Sequence, residues 1–223
     1  MYSLKNFVMA VVQNPIIGRT SGQAGGMVFT TQFGKNVMKA KAASVANPQS
    51  DAQMEQRSAL TQIVAFYRLI ASIIQAGFKS LSIGMSAYNK FASVNLLHAF
   101  TYSGAAPAVF VPTAFYISKG TIAVTPVTDA DGSIGSEEVE LVFSDSASGA
   151  GQSSTDKPLG VLWNETQNVW AFSPISVARS GGSLIVELPD NAASGDVVHS
   201  WLGFTSADGA TQSDSVYRLV TID

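Results

Sequence analysis

The sequence predicts an α+β protein in two modules. An N-terminal β-hairpin with a helical pair is followed by a C-terminal antiparallel, immunoglobulin-like β-sandwich. Three observations carry this prediction. Apolar residues repeat at three and four positions between Leu60 and Phe100, and at two positions after Thr113. Charge divides at the same place: Met1–Pro112 holds nine basic and two acidic residues, while Thr113–Asp223 holds four and fourteen, giving the net −3 of the 223-residue chain. Only 13% of residues are charged against 46% hydrophobic, which points to large cores or to surfaces covered by partner subunits. The expected divisions are a glycine-rich basic arm and hairpin (1–46), a helical module (47–102), a linker (103–113) and the sandwich (114–223).

Taken in order, the apolar run Phe7–Val12 is too short for a signal-peptide core and stops at Gln-Asn-Pro. The stretch from Gly18 to Ala42 then raises the question of a phosphate-cradling loop. A P-loop needs a lysine and a hydroxyl directly after its last glycine, and Met-Val-Phe follows Gly26 instead. The dinucleotide fingerprint needs G-x-G-x-x-G between a strand and a helix, and neither spacing nor context is present. The alternation instead predicts strands Met27–Gln32 and Asn36–Lys41 around a Phe33-Gly34-Lys35 turn. Residues two apart share a strand face, so Lys35, Lys39 and Lys41, with Arg19, form a basic stripe. That stripe suits an acidic protein surface or packaged DNA, or simply protects an edge strand from further pairing. Met27, Phe29 and Phe33 have too little local apolar company to be buried and are expected at a subunit interface.

A proline stop and a capping box of Ser50 with Gln53 open the first helix, and Gly77 closes it. Asp51, Glu55 and Arg57 read as helix electrostatics. Ile63, Phe66, Tyr67, Ile70, Ile73 and Ile74 make a stripe wider than one neighbour needs, so a further partner is expected: either the sandwich of the same chain or, as favoured here, another copy that meets Ile63, Ile70 and Ile73. Gln62, Arg68 and Gln75 interrupt it and argue against a membrane span. A second helix is expected over Met85–Phe100, capped by Ser86, with Phe91, Val94 and Leu97 on one face. Strands are then predicted at Thr121–Thr125, Glu137–Phe143, Leu159–Trp163, Val169–Phe172, Leu184–Leu188, Val197–Phe204 and Ser215–Ile222, with Trp163 or Trp201 in the core.

The stretches "AQMEQRSALTQIVAFYRLI", "MSAYNKFASVNLL" and "FYISKGTI" are similar to an uncharacterised protein family of Bacteroidota and their phages. Its members carry a G-x-x-G-G-x-V-F hairpin, an A-Q-x-x-x-R helix, a second helix reading S-x-Y/F-N-x-F-x-x-x-N, and a terminal S-D-S-x-Y, here Ser213 to Tyr217. The resemblance runs from about Gly18 onward and implies a phage or prophage structural protein. The chain departs from it at Met38-Lys39-Ala40-Lys41, where relatives carry arginine or serine-glutamate.

Candidate chemistry is sparse. His98 and His199 lack metal-ligand spacing and read as structural. Asp129-Ala130-Asp131-Gly132 holds part of a calcium loop without its third ligand or its position-twelve glutamate, and reads as a β-turn. Glu137, Glu138 and Glu140 beside it leave a weak surface cation site as the alternative. The expectation is a non-enzymatic virion component with no cofactor: an accessory capsid, decoration or head-fibre protein. It would meet other virion proteins and copies of itself, away from membranes, after residence in the host cytoplasm. A tail or connector ring component, and a nucleic-acid-associated protein using the basic half, are the alternatives.

Overall fold

The computed structural model describes residues 9–12, 21–32, 35–42, 44, 47, 49–82, 84–104, 107–133, 138–188 and 192–222. The chain divides into two compact units, Met1–Pro48 and Gln49–Asp223.

The described part of the first unit is an antiparallel sheet in the order β1-β4-β3-β2, built from β1 (Met9–Val12), β2 (Gly22–Ala24), β3 (Met27–Gln32) and β4 (Lys35–Ala40). The expected hairpin is present, but Gln32 pairs with Lys35, so the connection is two residues rather than three. Those two, Phe33 and Gly34, lie outside the described residues. The glycine-rich lead-in is a second hairpin, in which β2 pairs with β3 and Gly25 takes φ +56°. Glycine reaches that conformation without the Cβ penalty.

The second unit is α+β and sandwich-like. It contains α1 (Asp51–Gly77), α2 (Ala87–His98), the short pair β5 (Phe100–Thr101) and β6 (Val109–Phe110), and two larger sheets. One sheet has the order β11-β8-β7, from β7 (Val127–Ser133), β8 (Glu138–Phe143) and β11 (Ser183–Glu187). The other has the order β10-β9-β12-β13, from β9 (Lys157–Asn164), β10 (Val169–Phe172), β12 (Val197–Thr205) and β13 (Val216–Thr221).

Ser50 precedes α1 in extended conformation, yet its side chain makes no capping bond, so the expected Ser50–Gln53 box does not form. Ser86 does cap α2, accepting from the Asn89 N–H at 3.2 Å. Gly77 does more than end α1, because a Cβ there would run into the Ile117 carbonyl and Ser118. An 18-residue stretch of α1 has a mean hydropathy of 1.4, long and apolar enough to cross a membrane, so Gln62, Arg68 and Gln75 do not exclude a span by composition. Here Ile63, Ile70, Ile73 and Ile74 are fully buried in one core with Phe78, Phe91, Phe115, Leu159, Val161 and Trp201.

That core lies on one face of the four-stranded sheet. The other face carries a second core, in which Leu162, Val198, Leu202, Phe204 and Val220 meet Val139, Leu141, Phe143, Leu184 and Val186 of the three-stranded sheet. The four-stranded sheet is thus covered on both sides, and β12 is buried without interruption from Val198 to Thr205. A two-layer sandwich would have left alternate residues of that strand wet.

The segment 103–113, expected as a linker, lies inside this unit. Glu55 is 3% exposed and accepts from the Ser103 and Gly104 N–H groups at 2.7 and 2.8 Å, a sharper role than helix electrostatics. Ser58 Oγ accepts from the Ala108 N–H at 2.9 Å, and Gln62 Nε2 donates to the Ala108 carbonyl at 3.1 Å. Phe110 packs against Phe66, Phe100, Phe115 and Trp163. A fragment of residues 114–223 would therefore expose Leu159, Val161 and Trp201. It is expected to bind a hydrophobic dye and to lose near-ultraviolet circular dichroism. A fragment with native signals in both would show that the sheets need no helical cover.

Two strand assignments change. Thr121–Thr125 contributes only an isolated bridge at Ile122. Asp129–Gly132, read as a turn, belongs to β7, which has a register shift between Val127 and Asp129. Gly132 marks close packing there rather than a turn, since a Cβ would strike Ile222.

Candidate functional site

The register of the N-terminal sheet sorts its side chains. Met27 faces Ala40, Phe29 faces Met38 and Thr31 faces Asn36, so these six share one uncharged face. Val28 faces Lys39, Thr30 faces Val37, and Lys35 lies two residues from Val37 on that second face. Lys41 continues the ladder through a 2.8 Å bond from its N–H to the Gly26 carbonyl. Lys35, Lys39 and Lys41 are exposed, Met27 is 46% exposed and Phe29 is half-buried. Lys35, Lys39 and Lys41 thus share a face with Val28 and buried Val37, opposite the face of Met27 and Phe29, while Arg19, expected in the same stripe, lies outside the described residues.

The expected interface on α1 needs correction. Ile63, Ile70 and Ile73 are each 0% exposed inside the chain's own core, so none of them is open to another subunit. The periodicity measured the width of the stripe correctly. Of the two covers it left open, the four-stranded sheet of the same chain is the one found, and periodicity alone could not choose between them. The apolar residues of α1 that stay open include Leu60 at 43% and Leu69 at 53%. Leu60 lines a shallow hollow of about 360 Å³ with Thr61, Val64, Ala65 and Arg68.

Two stretches singled out in the sequence turn out to hold one strap in place. Asn95, fully buried, donates from Nδ2 to the Phe91 and Tyr116 carbonyls at 3.1 and 2.9 Å and accepts from the Tyr116 N–H at 2.8 Å. Ser215 Oγ accepts from the Ile117 N–H at 3.1 Å, and Asp214 takes the Gly120 N–H and the Lys119 ammonium, both at 3.0 Å. The strap passes so close to β12 that a Cβ on Gly203 would collide with Ser118, and one on Gly120 with the Gln212 backbone. The final asparagine of the second-helix pattern and the S-D-S of the C-terminal pattern therefore position backbone rather than substrate.

Sequence reasoning missed a polar constellation on the aromatic face of the four-stranded sheet. His199, 8% exposed, places Nε2 3.0 Å from Glu165 Oε2 and Nδ1 2.9 Å from the Tyr217 hydroxyl. With the Glu165 carboxylate as acceptor Nε2–H is the donor, and the tautomer with its proton on Nε2 leaves Nδ1 to accept from the Tyr217 hydroxyl. Burial, and then the Glu165 charge, push the Tyr217 hydroxyl above the ordinary tyrosine range. Trp163 stacks on His199 and on Trp170, and Trp170 stacks on Trp201. The three side chains form a hydrogen-bonded chain from half-buried Tyr217 through His199 to solvent-exposed Glu165. A raised tyrosine pKa makes that hydroxyl a weaker acid and a poor source of phenolate. Strand pairing would have revealed part of it, because Trp163 lies opposite His199 and Trp201 opposite Tyr217. Glu165 sits in a turn and gave no signal. His98, on the exposed end of α2, makes a T-shaped ring contact with Tyr116.

A groove of about 370 Å³ is lined by Gln75, Lys79, Lys157, Ile175, Ser206 and Asp208, among others. Ser206 and the Ala210 N–H donate to the Asp208 carboxylate and, with Lys79 nearby, hold its pKa below the usual range.

Residues 19–219 match the model of DUF6266, a family of unknown function, and the chain belongs to that family. No curated protein sequence matches it.

Proposed function

We propose that this DUF6266 chain is a non-enzymatic structural protein of a bacteriophage virion, an accessory capsid, decoration or head-fibre protein. Its N-terminal sheet docks onto the particle, and the Gln49–Asp223 unit forms the body. The observation that carries the reading is the uncharged face of the N-terminal sheet, where Met27 is 46% exposed and Phe29 and Met38 are only half-buried. A sheet face of that composition is stable when a second layer covers it. The low charge content and the resemblance to phage-borne proteins agree with the particle as its source.

Deleting residues 1–48 is expected to leave a soluble, folded protein that no longer enters particles. The measurement is mass spectrometry of purified virions from cells making the truncated chain. Incorporation at the full-length copy number would overturn the docking role. Absence of the full-length protein from virions would overturn the virion assignment itself.

A further inference from the structure

The outer face of the three-stranded sheet carries acidic charges that the described residues do not balance locally. Strands β7, β8 and β11 read VTDADGS, EVELVF and SLIVE, with no lysine or arginine. Val139, Leu141, Phe143, Leu184 and Val186 turn inward to the core, so the alternate residues Glu138, Glu140, Ile185 and Glu187 turn outward. Register then sets like charges side by side: Glu138 opposite Glu187, and Asp131 opposite Glu140. Asp129, Asp131, Glu140 and Glu187 are exposed, and Ile185 among them is 49% exposed. Among the described residues, none of these carboxylates has an ion-pair partner. Directly opposed like charges destabilise a sheet. A surface of this kind gains from a basic counterpart of the same pitch.

The N-terminal sheet presents that counterpart. Lys35 and Lys39 of β4 and Lys41 just beyond it are exposed on one face, with half-buried Val28 beside them and Val37 buried between Lys35 and Lys39. Alternate residues of a strand lie about 7 Å apart, so Lys39 and Lys41 match the spacing of the pairs Asp129/Asp131 and Glu138/Glu140, and Lys35 lies two such steps from Lys39. On each surface an accessible aliphatic side chain accompanies the charges, Val28 on one and Ile185 on the other. We infer that the acidic outer face of the β11-β8-β7 sheet receives the lysine face of the N-terminal sheet from a second copy of this chain. The contact is head-to-tail, one patch type meeting another, and so builds closed rings or open rows. It does not depend on the virion reading, and it uses the sheet face opposite the one proposed to dock.

The test is analytical ultracentrifugation of the full chain and two charge reversals, Lys35→Glu with Lys39→Glu and Glu138→Lys with Glu140→Lys. The wild type is expected to self-associate at low salt and to dissociate as salt screens the charges. Each reversal should weaken association by at least about tenfold, since several charge pairs turn repulsive. An equal mixture of the two variants should associate again, because every contact between unlike copies then pairs opposite charges. Glu138→Gln with Glu140→Gln serves as a shape-preserving check and should also weaken association. A monomeric wild type overturns the inference, including one in which the same charges close within a single chain. So do reversals that leave association unchanged, or a mixture that stays monomeric while both variants keep native circular dichroism. Lysine variants that lose DNA binding without any change in self-association overturn it in favour of a nucleic-acid face. Loss of particle entry on deleting residues 1–48, together with unaltered self-association of the Glu138→Lys, Glu140→Lys chain, would sink this inference alone.

Discussion

Replacing Trp201 by alanine is expected to lower the unfolding free energy by about 3–5 kcal/mol, the range for removing a large buried aromatic. Trp201 is 0% exposed at the centre of the four-stranded sheet. Its ring stacks on Trp170, meets Phe115 edge-on and touches Tyr217, while its Nε1–H donates to the Pro112 carbonyl at 3.1 Å. Truncation thus opens a cavity between helices and sheet and strands a carbonyl of the 103–113 segment. For a unit of this size the change corresponds to a fall in Tm of roughly 6–20 °C. Trp201→Phe should recover part of the packing but not the hydrogen bond, and fall between the two. Chemical denaturation of both variants decides it. A loss below about 1 kcal/mol for the alanine variant would mean that the helices do not close over the sheet as described.

Asn95→Ala is expected to cost about 2–5 kcal/mol, because the Tyr116 N–H and carbonyl both lose a partner away from water. Asn95→Asp separates the two halves of the interaction. The carboxylate still accepts from the Tyr116 N–H, but it now points negative oxygen at two carbonyls that had received a donor. Its folded pKa is therefore raised above the unfolded value of about 3.9. The stability it can contribute is fully present only below that unfolded value and is lost as pH rises through the folded pKa. The aspartate variant should thus approach wild type in acid and resemble Asn95→Ala near neutrality, in denaturation curves taken across pH. A pH-independent difference from wild type would show that Asn95 does not hold the strap through its amide.

The sequence carried the helices well because their signals are local. Ser50, Gly77 and Ser86 bracket α1 and α2 within a residue or two, and the isoleucine spacing gave the buried face. Strands with inward-facing aliphatics, such as Glu138–Phe143, were equally legible. The errors share one physical cause, which is that distant residues decide them. Asp129–Gly132 has turn composition, yet Ile222 makes the glycine necessary and solvent accommodates the carboxylates. The Gly-Ala-Pro composition of 103–113 is that of a linker, but Glu55, Ser58 and Gln62 bind its backbone from 46 to 50 residues away. Hydrogen bonds of that reach leave no periodic trace. The lysine stripe was legible as a face because strand geometry is local. What meets that face is a property of surfaces, which alternation alone does not describe.

The core shared by α1 and the four-stranded sheet has a consequence during synthesis. The helix ends at Gly77, whereas the strands that cover its isoleucines begin at Lys157 and end at Thr205. At roughly 5–20 residues per second, a ribosome needs about 4–25 seconds to supply that cover. Throughout that interval the nascent chain carries a finished amphipathic helix with Ile63, Ile70, Ile73 and Ile74 exposed. Such a chain is a substrate for holding chaperones until β12 emerges. Slowing elongation between Gly77 and Lys157 with rare codons should then lower the soluble yield of the full protein without changing the stability of the molecules that do fold.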